Sequence, residues 1–217
     1  MNRLSALSVS AARAEDFAAI EQVMTDTLAL GERASGVDAS DYVRSCVSVY
    51  RDIDGTSAVV CRSDDAEIVG YALIGLDPAR VEHRSRRAAR HLALRIGWRG
   101  FVGQLNRPTR RFYGARCRDI AQLSRGTHLR SSFPHAHVNV VRGHRSGRAA
   151  LALVAHIDDV VRDAGFAMWL GEMNERRGQR IDALERLGFE ILNRSPNITL
   201  SMLCDTDVDR LTMARRI

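Results

Sequence analysis

The sequence contains no lysine. Its 32 basic residues are all arginines, and against 26 acidic residues they give a formal net charge of +6. A charge of this sign and size is often found in proteins that bind nucleic acid. Arginine in place of lysine, together with abundant alanine, valine, glycine and aspartate, is also typical of a GC-rich genome. Charge alone therefore does not establish a nucleic-acid partner, and we regard that interpretation as the weaker one.

Long apolar runs are also missing. No stretch of about 18 apolar residues occurs, so we expect neither a transmembrane helix nor a membrane partner. The N-terminal stretch MNRLSALSVSAARAEDF lacks the continuous apolar block that a signal peptide requires. These two absences predict a cytoplasmic location.

Cysteine is scarce and scattered. The four cysteines, Cys46, Cys61, Cys117 and Cys204, contain no CxxC pair, which argues against a disulfide framework or a zinc knuckle. His135 and His137 form a His-x-His motif without an evident third ligand. We therefore predict reduced thiols and no metal site.

What the sequence does contain is the pattern of a globular domain. Hydrophobic residues make up 45% and charged residues 27% of the 217 positions, and this length fits one domain with an insertion. Hydrophobic periodicity predicts the order β, α, ββ, insertion, β, α, β, α, ββ, which is an α/β fold with one mixed sheet. Strands are predicted at 7–11, 57–62, 67–75, 135–141, 166–170, 189–192 and 198–203. Helices are predicted at 17–28, from about Gly147 to just before Gly165, and at 181–187, with a weaker helical pattern at 41–52.

Residues 78–134 interrupt this pattern with many arginines and four interleaved aromatic residues. An irregular loop of this length inside a compact domain is uncommon, so we predict helices here. The aromatic residues, Trp98, Phe101, Phe112 and Tyr113, either stack on nucleic-acid bases or form the core of an inserted helical pair, and we favour the pair. The segment either covers a substrate site as a lid or presents a basic surface.

The strongest local signal is a strand, a short glycine-containing loop and a helix between Val138 and Val161. Backbone amides at a helix N-terminus are unpaired, and the helix dipole favours an anion there. Gly147 permits close approach of a phosphate, and Arg145 and Arg148 could add charge-assisted hydrogen bonds. Taken alone, the pattern fits a plain strand-to-helix turn equally well.

Together with three other segments, this signal resembles the GNAT family of acetyltransferases. The four segments occur in the family's order: the helix start at Arg13–Asp16, the hairpin strand Glu67-Ile-Val-Gly-Tyr-Ala-Leu-Ile, the segment Val138–Val161, and Asn174 followed by Leu184-Glu-Arg-Leu-Gly-Phe. The strand beginning at His135 is further similar to bacterial proteins that resemble the acetyltransferase-like half of O-GlcNAcase. Apart from residues 78–134, the resemblance covers about the whole chain.

The resemblance implies that acetyl-CoA is the cosubstrate and lies between two splayed parallel strands. Val138, Val140 and Val141 would flank its pantetheine, and Asn174 matches an asparagine near the pantetheine arm. The pyrophosphate would bind to the loop and helix start formed by His144, Arg145, Ser146, Gly147, Arg148, Ala149 and Ala150. The loop is one residue short of the family pattern, so either His144 or Arg145 occupies the usual Gln/Arg position.

Acetyl transfer to an amine also requires a base near the cleft. Glu172, after the strand predicted at 166–170, and His137 are our candidates, although Glu172 fits a solvated loop carboxylate equally well. Strand alternation places His135, His137 and Asn139 on one face, so His137 and Asn139 could line an acceptor pocket. Leu184 stands where many family members have a tyrosine that protonates the departing thiolate. Another group then does that work, or the thiolate leaves without an acid.

We therefore predict one domain over residues 1–217, with a GNAT-like fold and an insertion at 78–134. The expected activity is acetyl-CoA-dependent acetylation of a small-molecule amine by direct transfer in a ternary complex. An anionic acceptor would suit the basic insertion, including Arg107, Arg110 and Arg111, and a homodimer is possible. The alternative is a non-catalytic module on the same fold that binds acyl-CoA or nucleic acid.

Overall fold

The computed structural model describes residues 7–28, 34–51, 54–123, 132–144, 147–176 and 181–217. The strands are β1 Ser8–Ala11, β2 Thr56–Arg62, β3 Ile68–Gly75, β4 His135–Val140, β5 Met168–Arg176, β6 Phe189–Pro196 and β7 Val208–Arg216. The helices are α1 Phe17–Leu28, α2 Ser40–Ser48, α3 Pro78–Phe101, α4 Arg107–Leu123, α5 Arg148–Asp163, α6 Ile181–Arg186 and α7 Ile198–Cys204.

The described strands form one seven-stranded mixed sheet in the order β1-β2-β3-β4-β5-β7-β6. Neighbouring strands run antiparallel except for β4 and β5, which are parallel. The predicted α/β architecture, its mixed sheet and the β2–β3 hairpin are confirmed. Among the described strands, β4 and β5 thus form the one parallel pair of the sheet.

Both faces of the sheet are covered by helices. On one face, α1 and α2 bury Ile20 and Val43 against Tyr71 and Leu73 of β3. On the other face, the apolar stripe of α5, including Leu153, packs on the alternate residues of β3 and on Trp169 of β5. Because β3 is covered on both sides, it is apolar along nearly its whole length.

The end of the chain differs from the prediction. Residues 198–203, predicted as a strand, lie in α7, and the last strand is β7, which the sequence pattern did not indicate. Asn197 caps α7 by accepting a hydrogen bond from the Leu200 amide at 3.0 Å, and Asp119 of α4 accepts one from the Ile198 amide at 2.8 Å. These partners satisfy the first amides of the helix, which a strand would not expose together.

In its described residues, 78–123 and 132–134, the insertion contains two helices, as predicted. Asp77 caps α3 by accepting from the Arg80 amide at 3.0 Å, with Pro78 in the first turn. Phe112 and Tyr113 of α4 are buried beside Leu203 of α7. Trp98 and Phe101 of α3 are exposed, so the prediction that all four aromatic residues form the core of the pair is wrong for these two.

Three ion pairs fix α3 to α2 and to Asp38, which lies just before α2. Arg99 lies 2.6 Å from Asp41 and 2.9 Å from Asp38, and Arg95 lies 3.1 Å from Asp41. Burial alone would raise the pKa of Asp41, but the hydrogen bonds from both arginines bring that pKa below its ordinary value. The insertion is therefore attached to the body of the protein through charge as well as apolar contact.

Across the described residues, no helix has the length and apolar character needed to cross a membrane.

Candidate functional site

The two parallel strands separate soon after they meet. β4 and β5 pair at His135 with Leu170 and at Ala136 with Gly171. Beyond these positions, within the described residues of both strands, no further ladder pair joins them. β4 continues instead along β3 as far as Val140, and β5 continues along β7 as far as Arg176. The two strands thus share only these two ladder pairs in their described residues, and each continues on a different neighbour, which leaves a gap between them.

The helix that follows β4 begins beside this gap. Gly147 has a φ of +93°, in the left-handed region, and the first helical hydrogen bond runs from the Leu151 amide to the Gly147 carbonyl. The amides of Arg148, Ala149 and Ala150 therefore precede the helical ladder and can donate to an anion. Among the described residues, no side-chain hydrogen bond caps this end of α5.

The local geometry leaves space for a ligand at this helix start. A Cβ on Gly147 would meet no heavy atom within 4 Å, so the main chain is open there. Ala149 is buried under the first turn, and Arg148 is exposed. His144 ends a 3₁₀ turn at Arg142–His144 and is half-buried. Arg145 and Ser146, also predicted to hold the pyrophosphate, lie outside the described residues.

The residues of β4 divide between the two faces of the sheet as their alternation predicts. Ala136 and Val140 are buried on the α5 side, where Val138 and Val141 pack partly against the same core. On the opposite side, the rings of His135 and His137 lie 5.6 Å apart in an edge-to-face contact. The Asn139 amide donates to the phenol oxygen of Tyr71 at 2.6 Å. The candidate base His137 therefore lies on the face opposite the candidate pantetheine contacts Val138 and Val140, while Val141, just after the strand, packs against the cores on both faces.

Tyr50, which the sequence pattern did not single out, completes the histidine cluster. Its phenol oxygen lies 2.6 Å from Nε2 of His135, and its ring contacts His137 edge to face at 5.8 Å. Tyr50 follows α2 and stands 85 positions from His135. The sequence predicts only weak helical character at 41–52, and this pattern does not indicate a contact with a residue 85 positions away.

A cavity of about 520 Å³ lies over the point where β4 and β5 part. β4 supplies His135 and His137, β5 supplies Leu170 and Glu172, and Tyr50 closes one end. The insertion forms the opposite wall, through Val81, Glu82, Ser85, Arg86, Ala89 and Ile120. A cavity of this size is in the range of small-molecule sites.

Glu172 lies inside β5, not in a loop after it as predicted. The strand extends to Arg176 because each of its residues pairs with the unpredicted β7, from Met168 with Arg216 to Arg176 with Val208. Glu172 borders the cavity, and its carboxylate lies 4.0 Å from Nε of buried Arg210. Burial and the nearby Arg116 lower the pKa of Arg210.

Asn174 and Asn139 lie near the site without bordering the cavity. The Asn174 side-chain oxygen accepts a hydrogen bond from Asn197, the cap of α7, at 2.7 Å. Asn139 is held by Tyr71, as described above, and neither asparagine is among the cavity residues. Of the three predicted catalytic residues, the structure brings His137 and Glu172 to the cavity wall.

The charges that face the cavity are largely paired. Arg86 lies 2.6 Å from Glu82, one turn earlier on α3. Arg107, Arg110 and Arg111 are exposed on α4 and are not among the cavity residues. Leu184 of α6 is buried in the core on the α5 side of the sheet, so it presents no acid to the site.

Comparison with known proteins defines the fold. No protein-family model matches the sequence, and no curated protein matches it. The structure is similar to a GCN5-related N-acetyltransferase from Kribbella flavida, with 17% identity, a TM-score of 0.57 and coverage of 98% of each chain. It is also similar to ribosomal-protein-alanine N-acetyltransferase from Brucella melitensis, with 14% identity, a TM-score of 0.56 and coverage of 97% of this chain and 99% of that one.

A third similar structure was solved with a ligand. This is yncA from Salmonella typhimurium, named for acetyltransferase activity and solved with its cofactor acetyl-CoA. It is 14% identical, with a TM-score of 0.55 and coverage of 97% of this chain and 94% of that one. The protein therefore has the GNAT acetyltransferase fold. The narrower resemblance to the acetyltransferase-like half of O-GlcNAcase receives no support.

Proposed function

We propose that the protein is an acetyl-CoA-dependent N-acetyltransferase that acts on an amine of a small molecule by direct transfer within a ternary complex. The observation that carries this proposal is the gap between β4 and β5, which pair at His135–Leu170 and Ala136–Gly171 and then part. The helix that follows β4 begins at Gly147 and offers its first amides to an anion, and the cavity is lined by both strands where they part.

The residues around the gap fit coenzyme A. The amides of the first turn after Gly147, which precede the helical ladder, suit a pyrophosphate, and the open space at that glycine lets phosphate oxygens reach the main chain. In the proposal, residues from His144 to Ala150 hold the pyrophosphate, while Val138, Val140 and Val141 contact the pantetheine, near Asn174. The bound cosubstrate supplies the acetyl group as a reactive thioester.

The cavity supports an acceptor with a largely apolar body. Val81, Ala89 and Leu170 are apolar residues of its wall. Glu82 and Arg86 form an ion pair, so their charges neutralise each other. Polar groups gather instead at the β4–β5 junction, where His135, His137 and Glu172 meet. We propose that the amine nitrogen points to this junction and that the apolar body rests against α3. The cavity residues offer an anionic acceptor no unpaired arginine.

The amine must be neutral to attack. We propose His137 or Glu172 as the base that takes its proton, because both border the cavity at the junction. The nitrogen forms a bond to the acetyl carbon, the carbon–sulfur bond breaks, and the sulfur leaves as a thiolate that ends as the thiol. Tyr50 and Asn139 act as positioning residues, through His135 and Tyr71.

The proposal is tested first by calorimetry with coenzyme A. Thiol release from acetyl-CoA is then followed over a panel of arylalkylamines, alkylamines, polyamines, amino acids and lysine peptides, with an enzyme blank because Cys117 is exposed. Apolar primary amines should give the highest kcat/KM, with intersecting lines in initial-velocity plots. Parallel lines would contradict the ternary complex. Binding without turnover on any amine would favour a non-catalytic acyl-CoA-binding module, and absence of binding would overturn the proposal.

A further inference from the structure

A stripe along α3 faces solvent and changes character halfway along the helix. Five residues at helical spacing share this face: Arg87, Arg90, Leu94, Trp98 and Phe101. The three apolar side chains are 73%, 64% and 85% exposed, respectively. The rings of Trp98 and Phe101 lie 6.0 Å apart, so they form a continuous apolar surface at the C-terminal end of the helix.

This surface is unusual for the exterior of a soluble domain. Large apolar side chains that cluster on an exposed face commonly mark an interaction site. The opposite side of the same helix carries the contacts that attach it to the protein, through Val81 and Ile96. The exposed stripe is therefore not needed to hold α3 in place.

The other half of the stripe carries uncompensated positive charge. α3 has seven arginines and a single acidic residue, Glu82, which is paired with Arg86. The structure gives Arg87 and Arg90 no ion pair with any described residue, whereas Arg95 and Arg99 of the same helix are bound to α2. The stripe thus offers guanidinium groups at one end and exposed aromatic rings at the other end of the same helix face.

The sequence pattern predicts no membrane partner, but it concerns helices that span a membrane; from the exposed stripe we infer that α3 docks on an anionic lipid surface. A helix with an apolar face and flanking arginines lies in the membrane interface, with its apolar side chains buried about 5–10 Å deep and its arginines among lipid phosphates. Trp98 and Phe101 are residue types suited to that boundary. The corner formed by Phe101 and Val102, which is 40% exposed, enters deepest.

Charge argues against a second copy of the chain as the occupant. A symmetric contact through the stripe would bring two arginine-rich helices together without a carboxylate on either face, and like charges in contact are unfavourable. Nucleic acid would satisfy the arginines, but single-stranded sites combine a positively charged groove with aromatic side chains placed along it for the bases. Here the apolar residues are segregated at one end and include the aliphatic Leu94, an arrangement that fits a lipid layer.

The experiment uses the full chain and two vesicle preparations, one of phosphatidylcholine alone and one of phosphatidylcholine and phosphatidylglycerol in equal amounts. Trp98 is a built-in reporter, because the other tryptophan, Trp169, is 2% exposed. On anionic vesicles we expect a blue shift of emission, protection from acrylamide quenching and co-sedimentation. These effects should be absent on phosphatidylcholine alone and should weaken at high salt. Absence of the shift and of co-sedimentation on anionic vesicles would overturn the inference.

Matched variants separate the contribution of the aromatic residues to vesicle binding from that of the arginines. Trp98→Ala with Phe101→Ala, and separately Arg87→Gln with Arg90→Gln, should each reduce vesicle affinity at least about tenfold. Leu187→Ala, which removes an exposed leucine elsewhere, should leave affinity unchanged. Circular dichroism checks that each variant folds. The quenching experiment on the wild type tests the inference independently of the variants. A wild-type dimer that these changes dissociate, or binding of nucleic acid in place of vesicles, would contradict the inference. The test does not depend on the proposed acetyltransferase activity.

Discussion

The phenol oxygen of Tyr50 and Nε2 of His135 lie 2.6 Å apart, and this contact joins the end of α2 to the first residue of β4. It forms one end of the proposed acceptor cavity, where His137 contacts both rings. The relative position of α2 and the β4–β5 gap is thus set at the place where we expect the amine to be held.

Tyr50→Phe should lower kcat/KM for the acceptor about tenfold, at a cost to stability of about 1 kcal/mol for the lost hydrogen bond. The affinity for coenzyme A should not change, because its proposed contacts lie across the sheet. Tyr113→Phe, in a buried tyrosine of α4 outside the cavity residues, serves as the control. Steady-state kinetics with a saturating and a varied substrate measure the effect. Equal kcat/KM values for wild type and Tyr50→Phe would contradict a role of Tyr50 in the proposed acceptor site.

Gly147→Ala should weaken coenzyme A binding about tenfold or more, because a methyl group would stand where phosphate oxygens approach the main chain. Both Gly147 and Gly165 have a positive φ, +93° and +83°, and a Cβ at either position meets nothing within 4 Å. Gly165→Ala, at the other end of α5, should therefore cause a similar loss of stability without affecting the cofactor. Calorimetry on both variants measures the difference. Equal affinities in the two variants would argue against a phosphate at Gly147.

Asp119→Ala should destabilise the protein by about 3 kcal/mol, because the buried carboxylate accepts hydrogen bonds from the Ile198 and Thr199 amides. This corresponds to a fall in Tm of roughly 6–12 °C for a chain of this size. Asp159→Ala removes a carboxylate whose ion pair with Arg162 is exposed, and it should shift Tm by far less. Thermal unfolding followed by circular dichroism compares the two. Similar small shifts in both variants would mean that α4 does not hold α7.

Arg99→Gln should lower the free energy of unfolding at pH 7, and the difference from wild type should disappear in acid. Hydrogen bonds from Ser40 and Arg99 lower the pKa of Asp38, and those from Arg95 and Arg99 lower the pKa of Asp41 against the effect of burial. Carboxylates with a lowered folded pKa contribute stability above their unfolded pKa of about 3.9. That contribution is lost as the pH falls through the folded pKa.

Urea unfolding between neutral pH and about pH 3 measures this dependence. Arg162→Gln, on an exposed pair, is the control and should show little effect at any pH. A difference between wild type and Arg99→Gln that stays constant down to the lowest pH would contradict the role assigned to the two aspartates.

The parts of the fold that were predictable from sequence have local causes. The β2–β3 hairpin follows from two apolar runs around a polar turn, and α5 follows from a stripe of period 3.6 that ends before Gly165, whose φ is +83°. The β4 alternation also placed His137 correctly on the face opposite Val140. In each case the residues that determine the structure lie within one element and its turn.

The parts that were missed depend on distant partners. β7 carries Asp209, Arg210 and Arg215 at positions that become buried or half-buried. Charged residues at these positions interrupt the apolar pattern that would indicate a strand. Each of these charged residues has an oppositely charged partner on another element. Asp209 lies 2.6 Å from Arg194 and Arg215 lies 2.8 Å from Asp158. Arg210 lies 4.0 Å from Glu172. The α7 helix likewise depends on Asp119, which is 79 positions away from Ile198.

The insertion leaves and rejoins the sheet at one place, since Gly75 at the end of β3 pairs directly with His135 at the start of β4. A tight turn could in principle join these two residues without altering any strand register. The helical pair can therefore change in evolution as one unit. Such a change would alter which acceptors enter the cavity, while the register of β3 and β4 stays the same.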